Sequence, residues 1–289
     1  MIKQPIIGGQ AVIEGVMMRS PHYLAISVRK PDKTIVTKEE KINSILDRYP
    51  VLKKPLIRGI VNLFEMLALG IKALTFSVNE SSGEDDEKLS RTEIFFTILL
   101  SMSMTVVFFI ILPLVITRLF IKTGFLFNVL DGIFRIIIIF IYLLAISLMK
   151  DIRIVFQYHG AEHKSVNCYE KKKPLTVEYA KKFSTQHPRC GTSFMIIVMV
   201  ISIIVFSFIT SPTWYIKLIS RIILLPIIAG VSYEVLKLSS KYQKNFLLKI
   251  FMIPGMWVQR ITTKEPTSEQ LEVALQSLKN VLAKEKKLA

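Results

Sequence analysis

Residues 94–116 read IFFTILLSMSMTVVFFIILPLVI, and this run decides the fold. It contains 23 residues without a charge. At about 1.5 Å of rise per helical residue, such a run is long enough to cross about 30 Å of hydrocarbon. Three further apolar blocks follow at 133–149, 193–210 and 218–236. The sequence therefore predicts a mainly α-helical, polytopic membrane protein with four transmembrane helices.

The composition supports this fold class and excludes others. Of the 289 residues, 51% are hydrophobic and only 21% are charged, and the formal net charge is +16. The mean hydropathy is +0.45. A soluble nucleic-acid-binding protein carries its basic residues on a water-soluble fold, so this composition argues for the lipid bilayer as partner and against nucleic acid. Two cysteines cannot form a disulfide framework.

The basic residues are distributed unevenly between the apolar blocks. Segments 1–93, 150–192 and 237–289 together hold 33 of the 38 Lys and Arg residues, whereas the loops 117–132 and 211–217 hold three. Loops rich in Lys and Arg stay in the cytoplasm. With four crossings, we expect a multi-pass protein of the cell (inner) membrane with both termini cytoplasmic.

These boundaries divide the chain into six parts. The alternation at 23–29 and 34–40, around Pro31, predicts a β-hairpin in the first of them. The parts are a small cytoplasmic β-rich element (1–50), an amphipathic helix with a hydrophilic linker (51–93), transmembrane helices 1 and 2 (94–149), a cytoplasmic loop (150–192), transmembrane helices 3 and 4 (193–236), and a cytoplasmic tail with an amphipathic helix (237–289).

Two helices in this scheme are amphipathic. Residues 56–78 carry polar side chains at helical spacing, which favours a helix on the membrane surface or packed on other helices; whether it spans the bilayer stays open. In the tail, Thr267 and Gln270 are spaced as a capping box before an apolar helix face. That face indicates either docking or dimerisation, and the oligomeric state is unknown.

The central loop carries the candidate chemistry. Five of the six His and Cys residues lie between 159 and 190. His159 and His163 stand four residues apart, so on a helix both imidazoles lie on one face and can bind one Zn²⁺ or another divalent metal. Glu162 stands beside them as a candidate catalytic general base, in an H-x-x-E-H pattern.

Further donors can complete such a site. His187 and Cys190 lie just before the third apolar block and are candidate metal ligands. Glu234, near the cytoplasmic end of the fourth block, is a candidate ligand or a carboxylate that holds an imidazole, because ionisable groups near the membrane core tend to be functional. Weaker candidates are Glu14, Cys168 and Arg189. The alternatives are lipid contact for the histidines and Arg189, an inert Cys168, and an ion pair of Glu234 with Lys237 or Arg153.

Several longer motifs resemble the YqhQ-like family of bacterial integral membrane proteins. They are GGQAVIEGVMMRSP at 8–21, HGAEHK at 159–164, HPRCGTSF at 187–194, GVSYE at 230–234 and PGMWVQRITTKEPTSEQLEVAL at 254–275. The resemblance spans essentially the whole chain. It implies an integral membrane protein of unknown function, described as a predicted metal-dependent enzyme. By position, the motifs contain Glu14, His159, Glu162, His163, His187, Cys190 and Glu234.

The residues thus predict a metal-dependent, zinc-type hydrolase at the cytoplasmic face of the membrane, acting on a membrane-embedded peptide or a lipid-linked substrate. The alternative is a non-enzymatic membrane scaffold or assembly factor with a structural metal site, which four protein ligands including thiolate would favour. A transporter is a third class, for which the sequence offers no repeats.

Overall fold

The structure is a computed structural model that describes residues 4–82, 90–211, 213–242 and 246–287. Residues 83–89, the middle of the expected hydrophilic linker, lie outside these ranges. Within them the chain is mainly helical, with a small antiparallel sheet near its start, as the sequence predicts. The six-part division of the chain stays a prediction.

The sheet is larger than the predicted hairpin. Its strands are β1 (Gly8–Val12), β2 (Gly15–Arg19), β3 (Tyr23–Arg29) and β4 (Ile35–Lys41). They form a meander in the order β1-β2-β3-β4, so β1 and β4 are the edges. The β3–β4 hairpin was expected. The β1–β2 hairpin was not, because its glycines and short apolar runs resemble a loop.

The helices account for most of the rest. A 3₁₀ turn lies at Pro50–Lys53. The α-helices are α1 (Ile45–Arg48), α2 (Ile57–Ser81), α3 (Arg91–Val106), α4 (Leu112–Phe120), α5 (Phe125–Ser147), α6 (Lys150–Glu170), α7 (Val177–Ala180), α8 (Gly191–Ser207), α9 (Trp214–Lys241), α10 (Phe246–Thr262) and α11 (Ser268–Lys286).

A π-helical turn at Val107–Ile111 joins α3 to α4. Pro113, just beyond it, has no N–H to donate, and its ring crowds the preceding turn. Widening that turn relieves the conflict without ending the helix. The resulting continuous rod, Thr92–Phe120, contains the uncharged run.

Four helices of the described chain are long and apolar enough to cross a membrane, but they are not the expected four. Thr92–Phe120, Phe125–Ser147 and Trp214–Ser239 correspond to three predicted spans. The block at 193–210 forms the shorter Gly191–Ser207, and Ile57–Ser81 qualifies by length instead. Length and composition thus indicate a membrane protein.

The contacts of α2 show how its polar stripe is used. Near its start, Gly59 packs against the backbone of Gly230 in α9. Further along, Gly70 meets the side chain of Gln10, and Lys72 donates to Glu40 at 2.5 Å. The helix therefore covers one end of α9 and then the sheet, while its other face leaves Phe64 and Leu67 exposed.

The C-terminal helix α11 completes the core of the sheet. Thr267 and Gln270 form the predicted capping box. The predicted apolar face is buried in one cluster with residues of the sheet and of α6. This face docks within the chain, and its members are Leu271, Ala274, Leu275, Leu278, Val281 and Leu282.

Charged groups are buried between the apolar helices. The apolar block at 133–149 predicts that Arg135 lies near a helix end. The helix α5 begins earlier, at Phe125, so Arg135 lies inside it. The Oδ2 atom of Asp131 accepts from Arg135 at 3.2 Å and from Arg221 of α9 at 2.9 Å. This pairing offsets part of the cost of burying charge in an apolar bundle, but two guanidinium groups share one carboxylate, and the Nε atoms of both have no hydrogen-bond partner among the described residues.

Candidate metal centre

Helix α6 brings the two histidines of the motif together. It runs without interruption from Lys150 to Glu170, so His159 and His163 lie one turn apart. Their ring centroids are 4.4 Å apart. The predicted spacing on one helix face is therefore what the structure has.

A glycine lets the end of α10 approach His159. A Cβ atom on Gly160 would lie 2.0 Å from the carbonyl oxygen of Lys264, so only glycine permits this contact. The Nδ1 atom of His159 lies 2.8 Å from the carbonyl oxygen of Thr262. A carbonyl only accepts hydrogen bonds, so in the neutral imidazole Nδ1 carries the proton and Nε2 presents the lone pair.

His163 is fixed in the same way from another segment. Its Nδ1 atom lies 2.5 Å from the carbonyl oxygen of Thr185. The ring is buried, and burial lowers its pKa despite the nearby Cys190 thiol, so the imidazole is neutral at pH 7. Its Nε2 atom therefore also presents a lone pair.

Cys190 supplies the third donor. It is the N-cap residue of α8, and its Sγ atom accepts from the N–H of Thr192. That sulfur lies 3.3 Å from Nε2 of His159. One ligand atom from each of His159, His163 and Cys190 lies within 4.8 Å of the others. These three residues are the sequence candidates that the structure brings together as a donor set.

Glu162 borders the donor set. Its side chain is buried, and its Oε2 atom is 3.4 Å from Nε2 of His163. Burial raises the pKa of this carboxyl, although the nearby His159 and His187 oppose the shift. A Cβ atom on Gly9 would lie 2.7 Å from Cγ of Glu162, so β1 passes directly over the carboxylate.

His187 is close to the donor set but has other partners. Its ring centroid is 5.8 Å from that of His163. Its Nδ1 atom accepts from the N–H of Arg189 at 3.3 Å, and its Nε2 atom lies 3.4 Å from a carboxylate oxygen of Glu170. Glu170 also pairs with the Arg189 side chain. Both ring nitrogens of His187 are thus engaged.

The remaining candidates lie away from the imidazoles. Glu14 sits in the β1–β2 turn at φ 50° and accepts from the hydroxyl of Tyr158 at 3.1 Å. Cys168 is buried in the core, with its thiol 3.4 Å from the carbonyl oxygen of Pro174. Glu234 forms a bidentate pair with Arg58, with the Nε–Oε1 distance at 2.7 Å.

A cavity of about 850 Å³ opens onto the donor set. Its walls come from the start of the chain with β1, and from α2, α6, α8 and α9. The charged side chains in the wall are Arg19, Arg189 and Glu162, beside the donor set. Volumes of this size and mixed lining are typical of ligand sites.

Several residues that build this centre escaped the sequence reasoning. Thr185 and Thr262 act through backbone carbonyls, which no side-chain pattern reveals. Gln259, fully buried on α10, accepts from the N–H of His187 at 2.8 Å and donates to its carbonyl at 3.0 Å. The Gly8-Gly9 pair and the turn at Ile13-Glu14, followed by Gly15, are the signal that would have indicated β1 and β2.

The donor set is suited to a metal ion. Two imidazole nitrogens and a thiolate sulfur are donors that Zn²⁺ accepts, and three protein ligands leave a coordination position open. Backbone carbonyls fix both imidazoles, as is usual around metal-bound histidines. The molecule is thus a helical protein of membrane composition with a candidate metal centre at the end of its apolar bundle.

Comparison with known proteins identifies the family. The chain belongs to the family described as proteins of unknown function (DUF1385), whose model matches residues 54–284. It is 34% identical over 299 aligned positions to the uncharacterized protein YqhQ of Bacillus subtilis (strain 168), covering 96% of this chain and 92% of that protein. No solved structure matches the chain significantly.

Proposed function

We propose that this protein is a metal-dependent hydrolase, with Zn²⁺ or another divalent ion held by His159, His163 and Cys190. Its site faces the cytoplasmic side of the membrane. The substrate is a membrane-embedded peptide or a lipid-linked molecule. The cavity beside the donor set, at the end of the apolar bundle, supports a substrate that reaches the site from the membrane surface.

One observation carries the proposal. Both Nδ1 atoms are next to backbone carbonyls, so both Nε2 lone pairs are directed to the space beside the sulfur of Cys190. The two imidazole nitrogens and the sulfur share only the protons of the Cys190 thiol and of the Thr192 hydroxyl, whose oxygen is 3.1 Å from the sulfur, and two protons cannot satisfy all of these lone pairs. A cation satisfies all three at once, and loss of the thiol proton makes the sulfur a stronger ligand.

The chemistry follows from the neighbours of the donor set. When bound, Zn²⁺ lowers the pKa of water to about 7 and polarises a substrate oxygen. Glu162 takes a proton from the attacking water, whose oxygen forms a bond to the substrate's electrophilic carbon or phosphorus. The scissile bond then breaks, and Glu162 returns that proton to the leaving group.

The test is the metal content of the purified protein. We expect about one metal ion per chain in the wild type, and its loss in the H159A/H163A variant. E162Q should keep both metal and fold while losing activity, because the amide cannot accept the proton. A wild type that holds no stoichiometric metal would refute the proposal.

The scaffold with a structural metal remains the second candidate. The nearby thiolate ligand favours it, since thiolates are common in structural zinc sites. Against it, the donor set of the described residues has three members and borders an open cavity. If E162Q keeps the biological function of the wild type, the scaffold is the better description.

A further inference from the structure

Strand β1 forms one wall of the cavity in an unusual way. Residues 6–11 line it consecutively. A strand that turns one face to a cavity contributes every second residue, because side chains alternate. Consecutive lining means that the cavity runs along the edge of β1, where backbone groups are accessible. The residues there are small, since Gly8 and Gly9 have no side chain and Ala11 has only a methyl group.

The turn after β1 determines which of its backbone groups point towards β2 and which point to the open edge. Val12 and Gly15 pair across the two-residue turn, so alternation places the N–H and C=O groups of Gly9 and Ala11 on the open edge. The same alternation puts those of Ile7 and Ile13 on that edge. The structure agrees, because Arg189 donates to the carbonyl of Ile7 at 3.3 Å and Ile13 donates to Ser77 at 3.2 Å.

Between those two anchored positions the edge is open. Within the described residues, the structure gives the outward groups of Gly9 and Ala11 no hydrogen-bond partner. Proteins normally cover or disrupt sheet edges because exposed edges recruit other strands. At this edge the open stretch borders the cavity, and Glu162 packs against the adjoining face of β1, with its Cγ 2.7 Å from the position of a Cβ on Gly9.

We infer that the substrate is an extended polypeptide that pairs with Gly9 and Ala11 of β1 as a fifth strand of the sheet. This inference rests on the proposed function and selects the peptide from its two substrate classes. Strand addition lays a chain along an edge by main-chain hydrogen bonds, while pockets accept alternate side chains. Here the pockets are apolar, formed by Leu63, Met66, Val155, Phe194 and Leu236.

The lining also indicates which side chains fit. The apolar walls suit the β-branched and aromatic residues that favour strands and are common in membrane segments. Arg19 suits an acidic residue or a terminal carboxylate. Its guanidinium is paired only loosely within the protein, since the nearest carboxylate oxygen, on Glu65, is as far as 4.0 Å away. Hydrolysis breaks one peptide bond with one water molecule, and yields a carboxylate and an amine.

The experiment measures binding and cleavage separately. The probe is a quenched fluorogenic decapeptide of alternating Val, Thr and Phe, and its control is the same peptide with alternate backbone nitrogens methylated. We expect anisotropy to show binding of the first by the detergent-purified protein. The methylated peptide should bind about tenfold more weakly, because pairing hydrogen bonds are lost.

A proline pair provides the matched protein variants. A11P removes one outward N–H without touching the ladder to β2, since edge positions tolerate proline. It should weaken peptide binding about tenfold. K41P makes the same change at an exposed residue of β4, the opposite edge, and should leave binding unchanged. Circular dichroism and metal content should match the wild type in both variants.

The outcomes separate the two proposals. Equal affinity for both peptides, or equal binding by wild type and A11P, would overturn the strand-addition inference even if the metal is present. So would binding of dioctanoyl phosphatidylglycerol without any binding of the peptide. Peptide binding that depends on Ala11 in a protein without metal or cleavage would instead refute the hydrolase and leave the inference standing.

Discussion

At the scale of single residues, backbone carbonyls decide what the histidines can do. The imidazoles of His159 and His163 each face a carbonyl oxygen through Nδ1, at 2.8 and 2.5 Å. A ring anchored in this way cannot rotate, and its tautomer is set. The third histidine of the loop, His187, has both nitrogens occupied by Arg189 and Glu170. The three rings are close together, but only His159 and His163 have a ring nitrogen directed to the donor set. The direction of the ring nitrogens therefore distinguishes the candidate ligands better than the distance between the rings.

The close approach at Gly160 gives a prediction about stability. G160A would place a methyl group 2.0 Å from the Lys264 carbonyl, so α6 and the end of α10 must separate. We expect a loss of about 1–3 kcal/mol, beyond the small gain in helix propensity. The apparent Tm in detergent should fall by several degrees. The control is G191A, where a Cβ meets nothing within 4 Å; an equal Tm in both variants would contradict the prediction.

The Glu234–Arg58 pair gives a second prediction, which concerns the role of Glu234. Because the carboxylate binds Arg58 of α2, E234A should lower the Tm and leave metal content unchanged. E234A/R58A should lose no more stability than the larger single variant, because the two residues act as one pair. Loss of metal in E234A, measured alongside H159A, would instead return Glu234 to the ligand set.

Sequence reasoning reached the donor set because the spacing of His159 and His163 on a helix is local information. The same holds for Thr267 and Gln270, which signal a helix start. It did not reach Gln259 or the carbonyls of Thr185 and Thr262, because their partners are more than 20 positions away and carry no pattern. Nor did it decide between a metal contact and an ion pair for Glu234, because a carboxylate suits both. The partner in the structure, Arg58, lies far away in the sequence.

At the scale of secondary-structure elements, the N-terminal cap of α11 makes a contribution to the stability of the protein that can be measured on its own. The hydroxyl of Thr267 accepts from the N–H of Gln270 at 3.2 Å, and Gln270 returns a bond to the N–H of Thr267 at 2.9 Å. T267A should cost about 1 kcal/mol, equivalent to about 2–4 °C in Tm. T267S keeps the accepting oxygen and should stay close to the wild type. If serine is as destabilising as alanine, the cap is not the cause.

The elements also show why apolar length and packing contacts select different helices as candidate spans. Helix α2 has 25 residues and qualifies by composition, yet its contacts lie on the sheet and on one end of α9. Helix α8 has 17 residues and does not qualify, yet it packs along α5, α9 and α10. Length measures the capacity to cross a bilayer, whereas contacts record what an element packs against.

At the scale of the whole molecule, one core constrains the membrane topology. It joins Val16 of the sheet, Ala161 of α6 and Leu278 of α11, three parts of the chain separated by apolar helices. Parts that share a water-soluble core lie on the same side of a membrane. The helices between sheet and α6 must then cross an even number of times. If α3–α4 and α5 both cross, as the sequence predicts, we expect α2 to stay on the side of the sheet.

Labelling of single cysteines tests this topology. Ser82 is exposed at the end of α2, and Thr123 is exposed in the loop between α4 and α5. A membrane-impermeant maleimide should label S82C only in inverted vesicles, and T123C only in intact spheroplasts. The buried native cysteines keep the background low. Labelling of S82C from outside the cell would mean that α2 crosses the bilayer.

The contact between His159 and Thr262 has a consequence for how the protein is made. During synthesis, α6 leaves the ribosome long before Thr262 and α11 do. Until then His159 lacks its anchor and the sheet lacks its cover, so the candidate catalytic pocket stays unassembled throughout translation. The hydrolase proposed above would therefore become active only after its insertion is complete.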